Sequence, residues 1–247
     1  MSALWAVFQR EMRAYFVSPM AYVVLTFFLL MNGYVFSLIV SFLSDPRSGG
    51  STTPLKLFFG DTFFFWMVLL FITPIITMRL ISEELKSGTI ESLMTAPVTE
   101  NQVVLAKYLA ALTFYVFLWL PTLVYVAIVA RHSEVDWGPI ASGYLGILGI
   151  GAVFLAAGIF ASSFTRSQIV AAIATFALLI FFFAIAFLES LATAEGMKEV
   201  LGYMNLLEHM DEFGKGIVDT RRLIYYFTTV VLFLFLTART LENKKWR

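Results

Sequence analysis

Three features are missing or scarce in this 247-residue sequence, and each removes a class of function. The sequence contains no cysteine, which excludes disulfide bonds, thiolate chemistry and cysteine-based metal sites. It contains only two histidines, His132 and His209, which excludes a histidine-rich metal cluster. It has no match to the pattern G-x-x-x-x-G-K-[ST], so the chain carries no phosphate-binding loop of its own.

Charge is also scarce. Only 14% of the residues are charged and 60% are hydrophobic, with a mean hydropathy of +0.83. Soluble domains average about 25% charged and about 45–50% apolar residues, so this composition indicates an integral membrane protein. The 17 basic and 17 acidic residues give a net charge of zero, which indicates no nucleic-acid partner.

Six apolar runs are long enough to cross a lipid bilayer, which takes about 20 residues. We therefore predict an all-α membrane protein with six spans, at 20–43, 62–79, 103–130, 139–163, 168–188 and 223–239. The ionisable side chain well inside these limits is Lys107, which we expect to snorkel to the interface. Ion-coupled transport normally relies on Asp, Glu or His inside spans, so the energy for any transport must come from elsewhere.

The distribution of basic residues predicts the orientation. With both termini in the cytoplasm, ten of the 17 Lys and Arg residues lie in the cytoplasmic segments, which are also the shorter ones. An even number of spans agrees with this arrangement.

The pattern of apolar and polar residues at 4–16 predicts an amphipathic helix rather than a membrane span. We expect it to lie in the membrane interface with Gln9, Arg10 and Arg13 toward the headgroups, and to end at Ser18-Pro19. The residues of its apolar stripe are Leu4, Trp5, Val7, Phe8, Met12, Tyr15 and Phe16.

The spans differ in composition. The fourth is rich in Gly and Ala at three- and four-residue spacing, which predicts a packing helix in the middle of the bundle, with a substrate-lining role as the alternative. The second and fifth are rich in Phe, which suits either lipid contact or an apolar cavity wall. Pro74 and Pro121 predict kinks in the second and third spans.

The loop at 189–222 predicts one or two short helices on the outer face, stopped by Gly214 and Gly216. The helical repeat in this loop consists of Leu201, Met204, Leu207 and Met210. A metal site made by His209 with Asp211 or Glu212 is one interpretation of its acidic residues. We favour the other, a solvated acidic loop.

Residues 78–99 form a charged connection between two apolar spans. Arg79 and Glu83 are four residues apart and are expected to pair on the end of the second span. Gly88 should end that helix. A short helix is predicted at about 89–95, and Ala96-Pro97 should terminate it.

Two further features complete this connection. Ile90, Leu93 and Met94 fall on one face of the predicted short helix, and Thr99 with Gln102 predicts a capping box that opens the third span. A short helix held between two spans is suited to act as a lever on a partner. The alternative is an ordinary polar connection lying on the headgroups.

The stretch "RLISEELKSGTIESLMTAPVTENQVVLAKYLA" resembles the signature of ABC type-2 permeases, S-E-E-x-x-x-G-T-[IL]-E-x-L-x-x-x-P-[VI]. The likeness extends to "SPMAYVV" and "ASSFTRSQIVAA", and within the family the chain is most similar to the gliding-motility-associated branch. The resemblance implies a single transmembrane domain over 1–247, with an interfacial helix at 1–19. It also implies a multi-pass protein of the bacterial inner membrane that is not itself an enzyme.

The resemblance further implies that residues 89–96 are a coupling helix that docks on a separate ATPase subunit. The coupling residues, including the apolar face described above, are Glu84, Gly88, Thr89, Ile90, Glu91, Leu93, Met94 and Pro97. ATP and magnesium would be bound by two copies of the ATPase, with no cofactor in this chain. A second copy of the permease would complete the complex in the lipid bilayer.

The expected function is export or flipping of an apolar or amphipathic substrate. The alternative is transmission of force, without transport, to an accessory partner outside the cytoplasm that contacts residues 189–222. A membrane scaffold without ATP coupling is the third interpretation.

Overall fold

The computed structural model describes residues 3–44, 54–59, 62–89 and 99–245, and its regular structure there is entirely helical. The predicted all-α class is confirmed. In chain order the helices are α1 (Ala3–Val17), α2 (Pro19–Ser44), α3 (Pro54–Phe58), α4 (Phe63–Thr77), α5 (Ser82–Ser87), α6 (Glu100–Trp119), α7 (Leu123–His132), α8 (Trp137–Ser162), α9 (Gln168–Leu191), α10 (Glu195–Met204), α11 (Leu206–Gly214) and α12 (Thr220–Lys245).

Six helical segments within the described residues are long and apolar enough to cross a membrane, as predicted. They are Pro19–Phe42, Phe63–Ser87, Glu100–His132, Trp137–Ser162, Gln168–Leu191 and Thr220–Lys244. The third begins three residues before the predicted limit, and a 3₁₀ turn that contains Pro121 divides it into α6 and α7. The second ends its regular helix at Thr77, three residues after Pro74, and continues as α5 after a turn.

Helix α8 lies in the middle of the bundle, as its small residues predict. It packs against α4, α6, α9, α11 and α12. A Cβ atom on Gly151 would overlap the ring of Tyr115, and one on Gly158 would overlap the side chain of Thr77. Glycine is needed at these positions because neighbouring side chains rest directly on the α8 backbone.

The two Phe-rich spans have different surroundings. In α4, Phe65 and Trp66 are buried in the core, whereas Phe181 and Phe187 of α9 are exposed. The most apolar window of the second span, Phe63–Ser87, is 61% buried and that of α9 is 28% buried, so α9 presents most of its surface to lipid or to another chain. Sequence composition alone could not separate these two environments.

The loop between the last two spans forms two helices, which agrees with the prediction of one or two. Asn205 separates them, and its side-chain oxygen accepts hydrogen bonds from the N–H groups of Leu207 and Glu208. Helix α11 ends at Gly214, and Gly216 has a positive φ of 87°. The break at Asn205 separates Leu201 and Met204 from Leu207 and Met210, and Leu207 is exposed whereas Met210 is buried.

Helix α11 is amphipathic: the acidic side chains of Glu208 and Asp211 are exposed, whereas the opposite face packs on the bundle. His209, Met210 and Phe213 are buried against the bundle. Both ring nitrogens of His209 are engaged, with Nδ1 3.2 Å from the Tyr226 hydroxyl and Nε2 3.2 Å from the Tyr203 carbonyl oxygen. The imidazole is therefore a core group, which argues against its use as a metal ligand.

Candidate functional site

The site lies at the end of the bundle where α1, α5 and the start of α6 meet, called here the α5 end. A turn at residues 78–81 separates α4 from α5. Ser162, the last residue of α8, holds this turn: its hydroxyl accepts from the N–H groups of Ile81 at 3.2 Å and Ser82 at 3.1 Å, and donates to the Met78 carbonyl oxygen at 3.2 Å. The sequence predicted one break, at Gly88, and missed this earlier one.

The predicted ion pair between Arg79 and Glu83 is wrong. Arg79 donates to the Ser18 hydroxyl at 3.4 Å, and Glu83 accepts a hydrogen bond from the side-chain amide of Gln168 at the start of α9. Each of these two side chains has a partner on another part of the bundle. Glu83 therefore joins α5 to α9.

Four charged side chains from three helices form a compact group, called here the ion cluster: Arg10 and Glu11 of α1, Glu84 of α5 and Lys107 of α6. Lys107 Nζ lies 2.9 Å from Glu11 Oε1 and 3.0 Å from Glu84 Oε1. Arg10 Nη2 lies 2.7 Å from Glu11 Oε1 and 2.5 Å from Glu84 Oε1. Each carboxylate thus contacts both cations, and the charges balance.

The expectation that Lys107 snorkels to the interface is wrong. Its side chain is only 2% exposed, because α1 packs along α6 and covers it. A buried ammonium requires paired charges, and Glu11 and Glu84 supply them. Burial alone would raise the pKa of the Glu11 carboxyl, but the Lys107 ammonium and the hydrogen bonds from Arg10 and Lys107 hold that pKa below its ordinary value.

Helix α1 packs on the bundle through part of its predicted apolar stripe, and one of its basic residues joins the ion cluster. Arg13 is exposed, but Arg10 turns toward Glu84. Val7 and Tyr15 are buried, and the Tyr15 hydroxyl donates to the Ile76 carbonyl oxygen of α4 at 3.0 Å. Helix α1 is therefore part of the folded bundle at this end.

Sequence reasoning missed Glu11 and Lys107 as members of one site, although each carried a signal. Glu11 lies four residues from both Val7 and Tyr15, which places a carboxylate on the apolar stripe of an amphipathic helix. Lys107 places an ammonium inside a span. Two opposite charges, each in an apolar environment, are candidates to pair with one another.

The two sides of the predicted coupling segment have the expected local structure. Gly88 ends α5 in the left-handed conformation, with a φ of 71° that favours glycine. Thr99 and Gln102 form the predicted capping box, with N–H···O distances of 3.4 Å to the Thr99 hydroxyl and 3.2 Å to the Gln102 side chain.

Of the predicted coupling residues, Glu84, Gly88 and Thr89 are at this site. The predicted short helix and the remaining coupling residues lie outside the described residues: Ile90, Glu91, Leu93, Met94 and Pro97.

A cavity of about 300 Å³ opens between α1, α5 and the start of α6. Its charged lining includes Arg10, Glu11, Arg79, Glu83, Glu84 and Lys107. Glu84 Oε2 is buried and has no hydrogen-bond partner among the described residues. The carboxylate of Glu84 is thus bound through Oε1 only, and it lies beside this cavity.

Comparison with known proteins identifies the family. The family model described as ABC-2 family transporter protein matches residues 5–241, which is nearly the whole chain. The chain belongs to this family. A search of the curated proteins finds no match. For an ABC-2 family chain, the assignment implies the membrane permease of an ABC transporter, and the six apolar helices agree with a multi-pass membrane protein.

Proposed function

We propose that this ABC-2 permease couples ATP hydrolysis by a separate ATPase subunit to export or flipping of an apolar or amphipathic substrate. The observation that supports this proposal is the attachment of α5 to the rest of the bundle. Ser82 is bound through Ser162 to α8, Glu83 through Gln168 to α9, and Glu84 to α1 and α6. A force applied next to α5 would therefore act on four helices at once.

We infer that residues 89–96 form the coupling helix on which the ATPase exerts this force. Gly88 and Thr99 flank the segment with defined cap structures. In this proposal Ile90, Leu93 and Met94 contact an apolar groove of the ATPase, and Glu91 and Pro97 complete the motif. In this proposal ATP and magnesium are bound by the ATPase and not by this chain.

We further propose a complex of two permease chains and two ATPase chains, since ATP sandwiches in this superfamily need two. The exposed side of α9, with Ile173, Ile180 and Phe181, is available for a second copy or for lipid. The basic-residue distribution supports an inner-membrane protein with both termini in the cytoplasm. Within the family, the motifs favour the gliding-motility-associated branch.

A second candidate function is transmission of force to a partner on the opposite side of the membrane. The observation that favours it is a cleft of about 680 Å³ beside α10 and the start of α12, with charged walls. Transport predicts stimulation of the ATPase by a small apolar molecule, whereas force transmission predicts stimulation by a partner protein.

The test is co-purification with the ATPase followed by measurement of ATP turnover. Leu93→Asp should place a charge in an apolar contact, which costs several kcal/mol and weakens binding by orders of magnitude, since about 1.4 kcal/mol is tenfold. Ser92→Asp, about 100° around the proposed helix, is the matched control. If Leu93→Asp retains both ATPase binding and ATP turnover, the segment is only a connection.

Gly88→Val should leave ATPase binding intact and reduce ATP turnover.

A further inference from the structure

The contacts between α1 and α5 are concentrated in one place. Among the described residues, the polar contacts that join these helices all belong to the ion cluster, directly through Arg10 and Glu84 or through Lys107 between Glu11 and Glu84. The Tyr15 hydroxyl of α1 donates to Ile76 of α4 rather than to α5, and next to α1 the Ser18 hydroxyl accepts from Arg79 in the turn at 78–81. These four side chains therefore make the direct polar connection between α5 and α1.

The two cations of the cluster are not equivalent. The Lys107 side chain is 2% exposed and bridges a carboxylate of α1 to a carboxylate of α5, whereas the Arg10 side chain is 50% exposed. Loss of Lys107 would leave Glu11 and Glu84 facing one another with only a half-exposed guanidinium to balance them. Loss of Arg10 would leave the Lys107 bridge in place.

Helix α1 also leads directly into a span. Ser18 is the single residue between α1 and α2. The most apolar window of α2 is only 33% buried, and α2 packs against α1 as well as against α3, α4 and α6. A change in the position of α1 would therefore change the position of α2.

From these contacts we infer that Lys107 is a positioning residue, which fixes α5 to α1 and so passes movement of the ATPase-docking segment into the first and third spans together. The inference rests on the proposed function. It adds a residue outside the family motif, and it assigns Glu11 the role of second counter-ion.

The first test measures geometry in the isolated chain. Because the chain has no cysteine, Ala6→Cys on α1 and Lys86→Cys on α5 can carry two spin labels without background. Pulsed electron paramagnetic resonance should give one narrow distribution of label-to-label distances in the chain that carries only these two cysteines. Adding Lys107→Met should broaden that distribution to at least twice its width. Lys107→Arg, which keeps the charge, should restore the narrow distribution, and Arg13→Met on the exposed side of α1 should leave it unchanged.

The second test separates charge from shape. Glu11→Gln combined with Lys107→Met leaves one cation, Arg10, and one anion, Glu84, so it should recover at least half of the broadening caused by Lys107→Met. If Lys107→Met alone fails to fold, recovery of folded protein in the double variant supports the same charge mechanism. An equally unfolded double variant would overturn it.

The third test uses the assembled complex. Lys107→Met should keep ATPase binding within about threefold and lower coupled ATP turnover at least tenfold, with Arg10→Met giving a smaller loss of about threefold. Unchanged turnover and an unchanged distance distribution in Lys107→Met would overturn the inference. Failure of the parent chain to bind any ATPase would instead contradict the proposed function, and the distance measurement would still decide the role of Lys107.

Discussion

The two ends of the bundle use polar side chains in opposite ways. At the α5 end, the polar contacts join residues far apart in the chain: Glu84 is 74 positions from Arg10, and Lys107 is 96 positions from Glu11. At the end that carries α10 and α11, called here the α11 end, the contacts of the charged side chains are local. Arg222 binds Glu212 across ten positions there, and Asn205 binds Glu189 across 16.

The attachment of each end to the bundle differs in the same way. Helix α11 is held on α8 mainly by buried apolar groups, with Phe213 in contact with Gly146. Helix α5 is held by charged groups from α1 and α6, a hydroxyl from α8 and a side-chain amide from α9. Apolar contacts tolerate small sliding movements, whereas ion pairs and hydrogen bonds require defined geometry. The α5 end is therefore the better suited of the two to transmit a displacement without loss.

The largest expected effect comes from removing one cation at each end. Lys107→Met should lower the free energy of unfolding by about 3–5 kcal/mol, because removing one partner leaves buried charge uncompensated. Arg222→Met should cost about 1.5–3 kcal/mol, in the range for hydrogen bonds to charged groups. Unfolding by denaturing detergent measures both. A larger loss for Arg222→Met would reverse the comparison.

A second pair of variants compares the serine at each end of α8. Ser162→Ala should cost about 2–4 kcal/mol, because two buried N–H groups, of Ile81 and Ser82, lose their acceptor. Ser142→Ala removes a donor to the Phe213 carbonyl oxygen, at 2.6 Å, and should cost about 1 kcal/mol.

The functional readout for this pair is ATP turnover in the assembled complex. Ser162→Ala should reduce it, because the turn that positions α5 loses its support, whereas Ser142→Ala should not. Equal turnover in the two variants would contradict the assignment of the 78–81 turn to coupling.

The features that could be predicted from sequence depend on near neighbours in the chain. Gly88, the Thr99 capping box and the Ser18-Pro19 break each follow from a few adjacent residues, and the six spans follow from composition over about 20 residues. The turn at 78–81 could not be predicted, because Ser162, 80 or more positions away, supplies its hydrogen bonds. The ion cluster escaped prediction for the same reason.

A third comparison uses glycines at the two ends of α8. Gly158→Ala should cost about 1–3 kcal/mol by overpacking, since its Cβ would overlap Thr77 beside the α5 turn. At Gly146 the Cβ would lie 3.0 Å from the Phe213 ring, so a smaller cost is expected because α11 can shift outward. Hydrogen exchange should show that Gly146→Ala exposes α11 alone. Exposure of α5 by Gly146→Ala would mean that the two ends are not independent.

The smallest expected effect is a response to acid that separates the two ends. Burial lowers the pKa of His209 from 6.5 to about 4, with Arg222 adding to the shift and Glu212 and Asp219 opposing it. A histidine held neutral in the fold contributes its full stability above pH 6.5 and loses it as the pH falls toward 4. At pH 5.5 the loss should be about 1 kcal/mol, since one pKa unit corresponds to about 1.4 kcal/mol.

Amide hydrogen exchange at pH 7.5 and 5.5, corrected for the intrinsic rate, measures this loss in α11. The ion cluster should persist over the same interval, because the lowered pKa of Glu11 keeps its carboxylate charged, so the protection of α5 should not change. His209→Gln, which cannot titrate, should remove the pH response of α11, whereas His132→Gln on the exposed surface should leave it intact. If the pH response survives in His209→Gln, the acid sensitivity belongs to the carboxylates of the cleft beside α10 and the start of α12. The stability of the α11 end would then depend on its ion pairs, as that of the α5 end does.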